Sequence, residues 1–282
     1  MKLKNIIKII LCNISFILLS NYAKADVAPQ KIPDVVSLYR LADGKKTLVK
    51  QYKYEYSLNN QLKSIKSLNN DLSITYTYNG KNQIIKVRIV FSDNTYVETN
   101  YTYNVKNEII KIVRTGLQSE TILPRYDAKN KYYNWIDSRK REHKLAASYY
   151  NGEINSHSIG GSKFEFIYDK LSTNGLSKIP VKITIPTYLA MDFINTDWYE
   201  NGFFQCVFSS PLKELKDPRE NGKNYSFSNA KDKYTYLESS TFRTNNTNYA
   251  LQYSYRDLSK SPVVIDKIKV DQKINIKTKG AK

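Results

Sequence analysis

A chain of 282 residues with 44 Lys+Arg against 26 Asp+Glu carries a formal charge of +18 and is long enough for one substantial core or two modest ones. Two cysteines and two histidines beside 24 tyrosines exclude a disulfide framework and a clustered metal centre as organising features, so the fold has to be held by its core. The positive surplus directs attention to anionic partners.

Residues 1–25, "MKLKNIIKIILCNISFILLSNYAKA", begin with lysines, continue through an apolar run from Ile9 to Leu19 and close on Ala23, Lys24 and Ala25. This is the order of a secretory signal peptide, with cleavage expected between Ala25 and Asp26. The apolar run is shorter than the ~20 residues of a membrane span. Cys12 follows Leu11 inside that run, which is the wrong context for lipid attachment. The expectation is an exported chain, periplasmic or extracellular, that is not integral to a membrane after cleavage. Loss of Lys2, Lys4, Lys8 and Lys24 takes the charge from +18 to +14, so most of the surplus belongs to the mature chain. Only Cys206 then remains, in "FFQCVF", where apolar neighbours predict a buried, inert thiol.

After a lead segment at 26–50, residues 51–117 read as hairpins. "YTYNGKNQIIKV" at 76–87 recurs as "YTYNVKNEIIKI" at 101–112 with nine of twelve positions identical, and "YEYSLNNQLKSI" at 54–65 is a fainter copy. Ile74, Tyr76 and Tyr78 alternate with Ser73, Thr75 and Thr77 before the turn, and Ile85, Val87, Ile89 and Phe91 alternate with Lys86 and Arg88 after it. Period-two alternation on both sides of Asn79-Gly80 is a hairpin signal, with those two residues expected to take the positive φ of the turn. Each copy is one hairpin and the series is an antiparallel meander with a basic, Thr-rich face.

The Tyr-X-Tyr pair, Asn-rich turn and Ile/Leu-X-Lys-Ile/Val strand over residues 52–114 resemble the tyrosine-rich YD or RHS-type repeats of secreted bacterial proteins. The resemblance implies a hairpin sheet and an exported setting. Ser57, Asn79 and Asn104 stand where the family has Asp, and three copies are too few for the toxin-enclosing shell of its large members.

Residues 118–150 break the rhythm. "NWIDSRKREHKLAASYY" (134–150) has helix formers, Asp137 or Ser138 as N-cap and a basic run from Arg139 to Lys144, which predicts a partly helical connector. Residues 151–282 read as a second mainly β region, from "FEFIYDKLSTNGLSKIPVKI" (164–183) to "YSYRDLSKSPVVIDKIKV" (253–270), ending in a basic tail. Within it a helix is expected over Thr187 to Glu200, and one or two helical turns in "SPLKELKDPRENG" (210–222). The fold class is therefore mainly β, an antiparallel meander with one or two short helices. An outer-membrane barrel is disfavoured because Lys and Arg recur along the strands.

Chemistry is sparse. His143 and His157 lie fourteen positions apart and read as surface residues, and no metal or other cofactor is implied. No Gly-X-Ser-X-Gly elbow occurs, and "SIGGSKFEF" (158–166) reads as a glycine turn into a strand. The most site-like patch is Asp192, Asp197 and Glu200 beside Trp198 and Tyr199, where aromatics stack on sugars and paired acids support glycoside hydrolysis. The leading expectation is a non-catalytic binding protein. Its basic face, Lys86, Arg88, Lys111 and Arg114, would meet an acidic envelope polymer, an anionic lipid or a protein. Trp198 and Tyr199 would add binding surface, and the compartment disfavours nucleic acid. The rivals are a glycan hydrolase using the three acids, and a carrier of an apolar envelope ligand, which would show as a tyrosine-lined concavity.

Overall fold

The computed structural model describes residues 29–147, 153–180, 182–191, 203–218, 223–244 and 246–258. The signal segment, its cleavage site and Asp192, Asp197, Trp198, Tyr199 and Glu200 lie outside them.

The strands in chain order are β1 (Lys31–Ala42), β2 (Lys45–Tyr56), β3 (Leu62–Ser67), β4 (Leu72–Tyr78), β5 (Ile84–Phe91), β6 (Tyr96–Tyr103), β7 (Ile109–Gly116), β8 (Glu120–Ile122) and β9 (Arg125–Asp127). They continue as β10 (Tyr132–Ile136), β11 (Glu142–Ala147), β12 (Ile154–Ile159), β13 (Ser162–Tyr168), β14 (Leu212–Asp217), β15 (Lys223–Lys231), β16 (Leu237–Thr244) and β17 (Thr247–Asp257). Among the described residues two short α-helices, α1 (Thr184–Met191) and α2 (Phe204–Val207), interrupt the series between β13 and β14.

Among the described residues the seventeen strands form one antiparallel sheet in which neighbours in sequence are neighbours in space. The sheet returns on itself, because β1 pairs with β2 on one side and with β17 on the other, from Lys31↔Asp257 to Leu41↔Asn248. At the corner between β8 and β9, where Pro124 ends the ladder, Ile109 N of β7 donates to Tyr133 Oη of β10 at 3.3 Å.

The repeated phrase proves to be a repeated geometry. Each copy carries a register shift just after its turn, at Glu55/Tyr56 against β3, at Thr77/Tyr78 against β5 and at Thr102/Tyr103 against β7. The bulge resets the alternation, so Ile84, Val87 and Ile89 face inward on β5, and Ile109 and Ile112 on β7. The first tyrosine of each pair points into the interior, and the second donates its hydroxyl to a neighbouring strand. Tyr56 reaches Pro33 O at 2.8 Å, Tyr78 reaches Leu62 O, and Tyr103 reaches Ile84 O at 2.7 Å.

The turns differ from the expected two-residue type. The left-handed residue is Asn82 (φ 59°) and its equivalents Asn60 (φ 57°) and Asn107 (φ 64°), whereas Asn79 and Gly80 have ordinary backbone. Asn79 instead uses Oδ1 to accept from Lys81 N and Gln83 N, and Asn104 does the same for Lys106 N and Glu108 N. This five-residue loop recurs with aspartate in the same role at Asp137 and Asp232, each carboxylate accepting from the second and fourth residues onward. A short acceptor at the first position is what the loop requires.

The helix expected within 134–150 is absent from the described residues there: β10, a turn and β11 occupy them through Ala147. Helix-forming side chains lose to a period-two pattern, since His143, Leu145 and Ala147 alternate inward, and β11 pairs with β10 on one flank and β12 on the other. The turns expected in 210–222 are likewise a strand, β14, over Leu212–Asp217. The predicted glycine turn is present at Gly160 (φ 55°) and Gly161 (φ 92°), a tight hairpin linking β12 to β13.

The interior is filled by the chain itself. All eight residues of α1 are buried, including Pro186 in its first turn, where no intrahelical donor is lost. Phe203, Cys206, Val207 and Phe208 join the same apolar cluster as Ile74, Val87, Ile112 and Leu145 from the strands. The first tyrosines anchor this segment. Tyr54 Oη donates to Cys206 O at 2.6 Å and Tyr101 Oη to Pro186 O at 2.6 Å, while Tyr76 Oη accepts from Thr187 Oγ1 at 3.1 Å. Three hairpins alone enclose nothing, but as part of a sheet closed by β1 and β17 they wrap an internal segment. Apolar side chains face in, and Lys, Thr and Glu face out, the reverse of a lipid-facing barrel.

Candidate functional site

Three of the four basic residues singled out from the sequence lie on the outer face of the meander. Lys86 and Arg88 of β5 both pair with Glu98 of β6, at 3.0 and 3.2 Å, and the Arg88 guanidinium lies 4.2 Å from the Tyr96 ring centroid. Lys111 of β7 is exposed and holds the position equivalent to Lys86 one repeat later. Arg114 does not belong to this face. It is one residue out of phase with Arg88 in the repeat and takes the inward place held by Ile89 in β5, at 1% exposure.

There Arg114 bonds Glu120 at 3.1 Å and donates to Leu189 O near the C-terminal end of α1 at 2.8 Å. A cation at that end offsets the negative pole of the helix. Glu120 in turn accepts from Ser138 N at 2.7 Å, linking α1 to the turn between β10 and β11.

A second polar route joins the same two places. His143 and His157, expected at the surface, are fully buried on the inward faces of β11 and β12. Asp137 Oδ2 lies 3.1 Å from His143 Nε2, His143 Nδ1 lies 3.1 Å from His157 Nε2, and His157 Nδ1 lies 2.8 Å from Tyr188 Oη on α1. Trp135 stacks on His143 with ring centroids 4.7 Å apart. Burial alone would raise the Asp137 carboxyl, but Arg141 N, His143 and the Arg141 guanidinium outweigh it and hold it down to about 2. The four groups form one continuous line of close polar contacts from the Asp137 carboxylate to the Tyr188 hydroxyl, in which each imidazole uses both of its nitrogens. The alternation of His143 with Leu145 and of Trp135 with Tyr133 was the signal in the sequence that both faces point inward.

Next to this network, a surface cavity of about 340 Å³ is lined by Glu120, Asp137, Arg139 and Arg141 among others. Of the Asp-His-His-Tyr series only Asp137 borders it, so the histidines act as an internal tie between turn and helix. Cys206 is buried, and burial pushes its thiol up to about 12, which makes it a packing residue. Among the described residues no helix is long and apolar enough to cross a membrane.

No family model and no curated protein matches the chain. Solved structures do. A porin-like protein from Bacteroides uniformis aligns with a TM-score of 0.45 at 11% identity, over 79% of this chain and 96% of that one. The TcdB2-TccC3-Cdc42 complex aligns with a TM-score of 0.30 at 10% identity, over 76% of this chain and 11% of that one. TcdB2-TccC3 without its hypervariable C-terminal region gives 0.30 at 8% identity, with the same coverages. This chain therefore spans about a tenth of the latter two, and similarity at this level lends it no activity.

Proposed function

We propose that the protein is an exported, non-catalytic binding protein that meets an acidic partner with the outer face of its β2–β7 meander. The leader-like residues 1–25 support export. The observation that carries the binding surface is the combination of a filled interior with a basic exterior. Residues 45–116 hold twelve Lys and Arg against five Asp and Glu, half of the surplus of the mature chain on one stretch of sheet. Lys63, Lys66 and Lys111 project outward there beside Lys86 and Arg88. Each surface pair contributes little to stability, so these cations remain available for a polyanion that engages several at once.

The test is salt-dependent binding of the 26–282 chain to an immobilised acidic polysaccharide and to anionic vesicles. Lys86→Glu, Arg88→Glu and Lys111→Glu together are expected to weaken binding by about tenfold and to flatten its salt dependence. Unchanged affinity sinks the basic-face reading. Arg114 stays out of this test because its burial couples any substitution to folding.

A further inference from the structure

A second cavity, of about 410 Å³, opens at the turn end of the repeat hairpins, where the chain leads into α1. Its volume is that of a small-molecule site. Its floor is aliphatic: Ile84 and Ile109, the post-turn residues of two successive repeats, meet Ile185 and Pro186 from the first turn of α1. Tyr103 and Tyr133 form part of the wall. Their hydroxyls are engaged with the backbone at Ile84 and Ile109, so they present ring surface.

The rim has the opposite character. Lys81 and Lys182 stand there, and no Asp or Glu lines the cavity among the described residues. Partial desolvation at the rim holds the Lys182 ammonium below its ordinary range although the residue is largely exposed. The turns supply further donors through a ladder of amides. Gln61 Nε2 donates to Asn82 Oδ1 at 2.7 Å, and Gln83 Nε2 to Asn107 Oδ1 at 3.0 Å. With each asparagine oxygen engaged, the Asn82 and Asn107 amide N–H groups are left to donate outward.

An aliphatic floor under a rim made of cations and N–H donors fits one chemistry. We propose that this cavity binds an anionic amphiphile, an alkyl body carrying a single carboxylate or phosphate head. The alkyl part lies on the isoleucines and the head lies between Lys81, Lys182 and the asparagine amides. The aliphatic floor disfavours a sugar, which calls for a flat aromatic platform, and the cationic rim disfavours a neutral lipid. The site uses none of Lys86, Arg88 or Lys111, so it stands or falls independently of the outer-face reading.

The experiment is calorimetric titration of the 26–282 chain with dodecanoate, dodecyl phosphate, dodecanol and glucuronate, each kept below micelle formation. Saturable one-site binding of dodecanoate or dodecyl phosphate is expected, about tenfold or more tighter than dodecanol. Preference for either head supports the proposal and assigns the head group. The Lys81→Glu/Lys182→Glu double variant, altered only at exposed positions, is expected to keep its β circular dichroism and lose about tenfold in affinity. Ile185→Trp, which fills the floor, is expected to weaken the alkyl anions while leaving salt-dependent polysaccharide binding intact. Dodecanol binding as tightly as dodecanoate, glucuronate binding in its place, no saturation by either alkyl anion, or charge reversal without effect would each overturn the proposal.

Discussion

Asn82 holds a left-handed backbone that most side chains resist, and it does so at the same point of the hairpin as Asn60 and Asn107. Asn82→Ala is therefore expected to cost about 1 kcal/mol, whereas Asn82→Gly leaves urea stability within a few tenths of a kcal/mol. Equal losses in the two variants would mean that the Gln61–Asn82 amide contact matters more than the φ angle. Asp137 makes a different prediction. Its carboxyl sits at about 2 in the folded chain against 3.8 in the unfolded one. Its ionised form therefore stabilises the fold above pH ~4, and that contribution is lost as pH falls through ~2. The stability difference between wild type and Asp137→Asn should shrink steadily between about pH 5 and about pH 2. A difference that is constant over that range would remove the carboxylate from the network that ties the β10–β11 turn to α1.

The hairpin repeat is the unit that explains the element scale. One tyrosine of each pair binds the enclosed segment and the other binds a neighbouring strand, so a short phrase builds both the sheet and its attachment to the interior. The same phase decides which cations are available. Arg114→Ala is expected to destabilise by about 3 kcal/mol, because Glu120 stays buried without its partner, while Lys111→Ala stays within about 0.5 kcal/mol of wild type. Equal small effects in thermal unfolding would return Arg114 to the surface. Much of this element structure was legible: alternation around Asn79 marked the hairpins, and the apolar context of Cys206 marked its burial. What was not legible followed from two local effects. A one-residue bulge after each turn shifts the phase, so Ile109 and not Ile110 faces inward, and Arg114, two residues past the inward Ile112, shares a sign but not a face with Lys111. Helix-forming residues in 139–147 masked the alternation of His143, Leu145 and Ala147, so the buried Asp-His-His-Tyr series went unread.

At the scale of the molecule, closure depends on a contact no local pattern announces, the long pairing of β1 with β17 across more than two hundred residues. Closure turns the concave side of the meander into a core, and described residues of 174–180, 182–191 and 203–209 supply its filling. Buried amides hold those residues together and to the wall: Asn174 Nδ2 donates to Phe208 O at 2.7 Å, while Gln205 Nε2 donates to Leu212 O of β14 at 2.8 Å and to Ser240 Oγ of β16 at 3.1 Å. A molecule built this way offers partners its outer face and its turn end, since the space between the strands is taken. The most direct test is native-state hydrogen exchange read by mass spectrometry on the 26–282 chain. Amides of Thr184–Met191 are predicted to exchange as slowly as those of β1 and β17, opening only with global unfolding. Exchange of α1 at the rate of the 79–82 turn, with the strands still protected, would mean that the interior opens by itself. It would contradict an account in which binding belongs to the outside of a filled sheet.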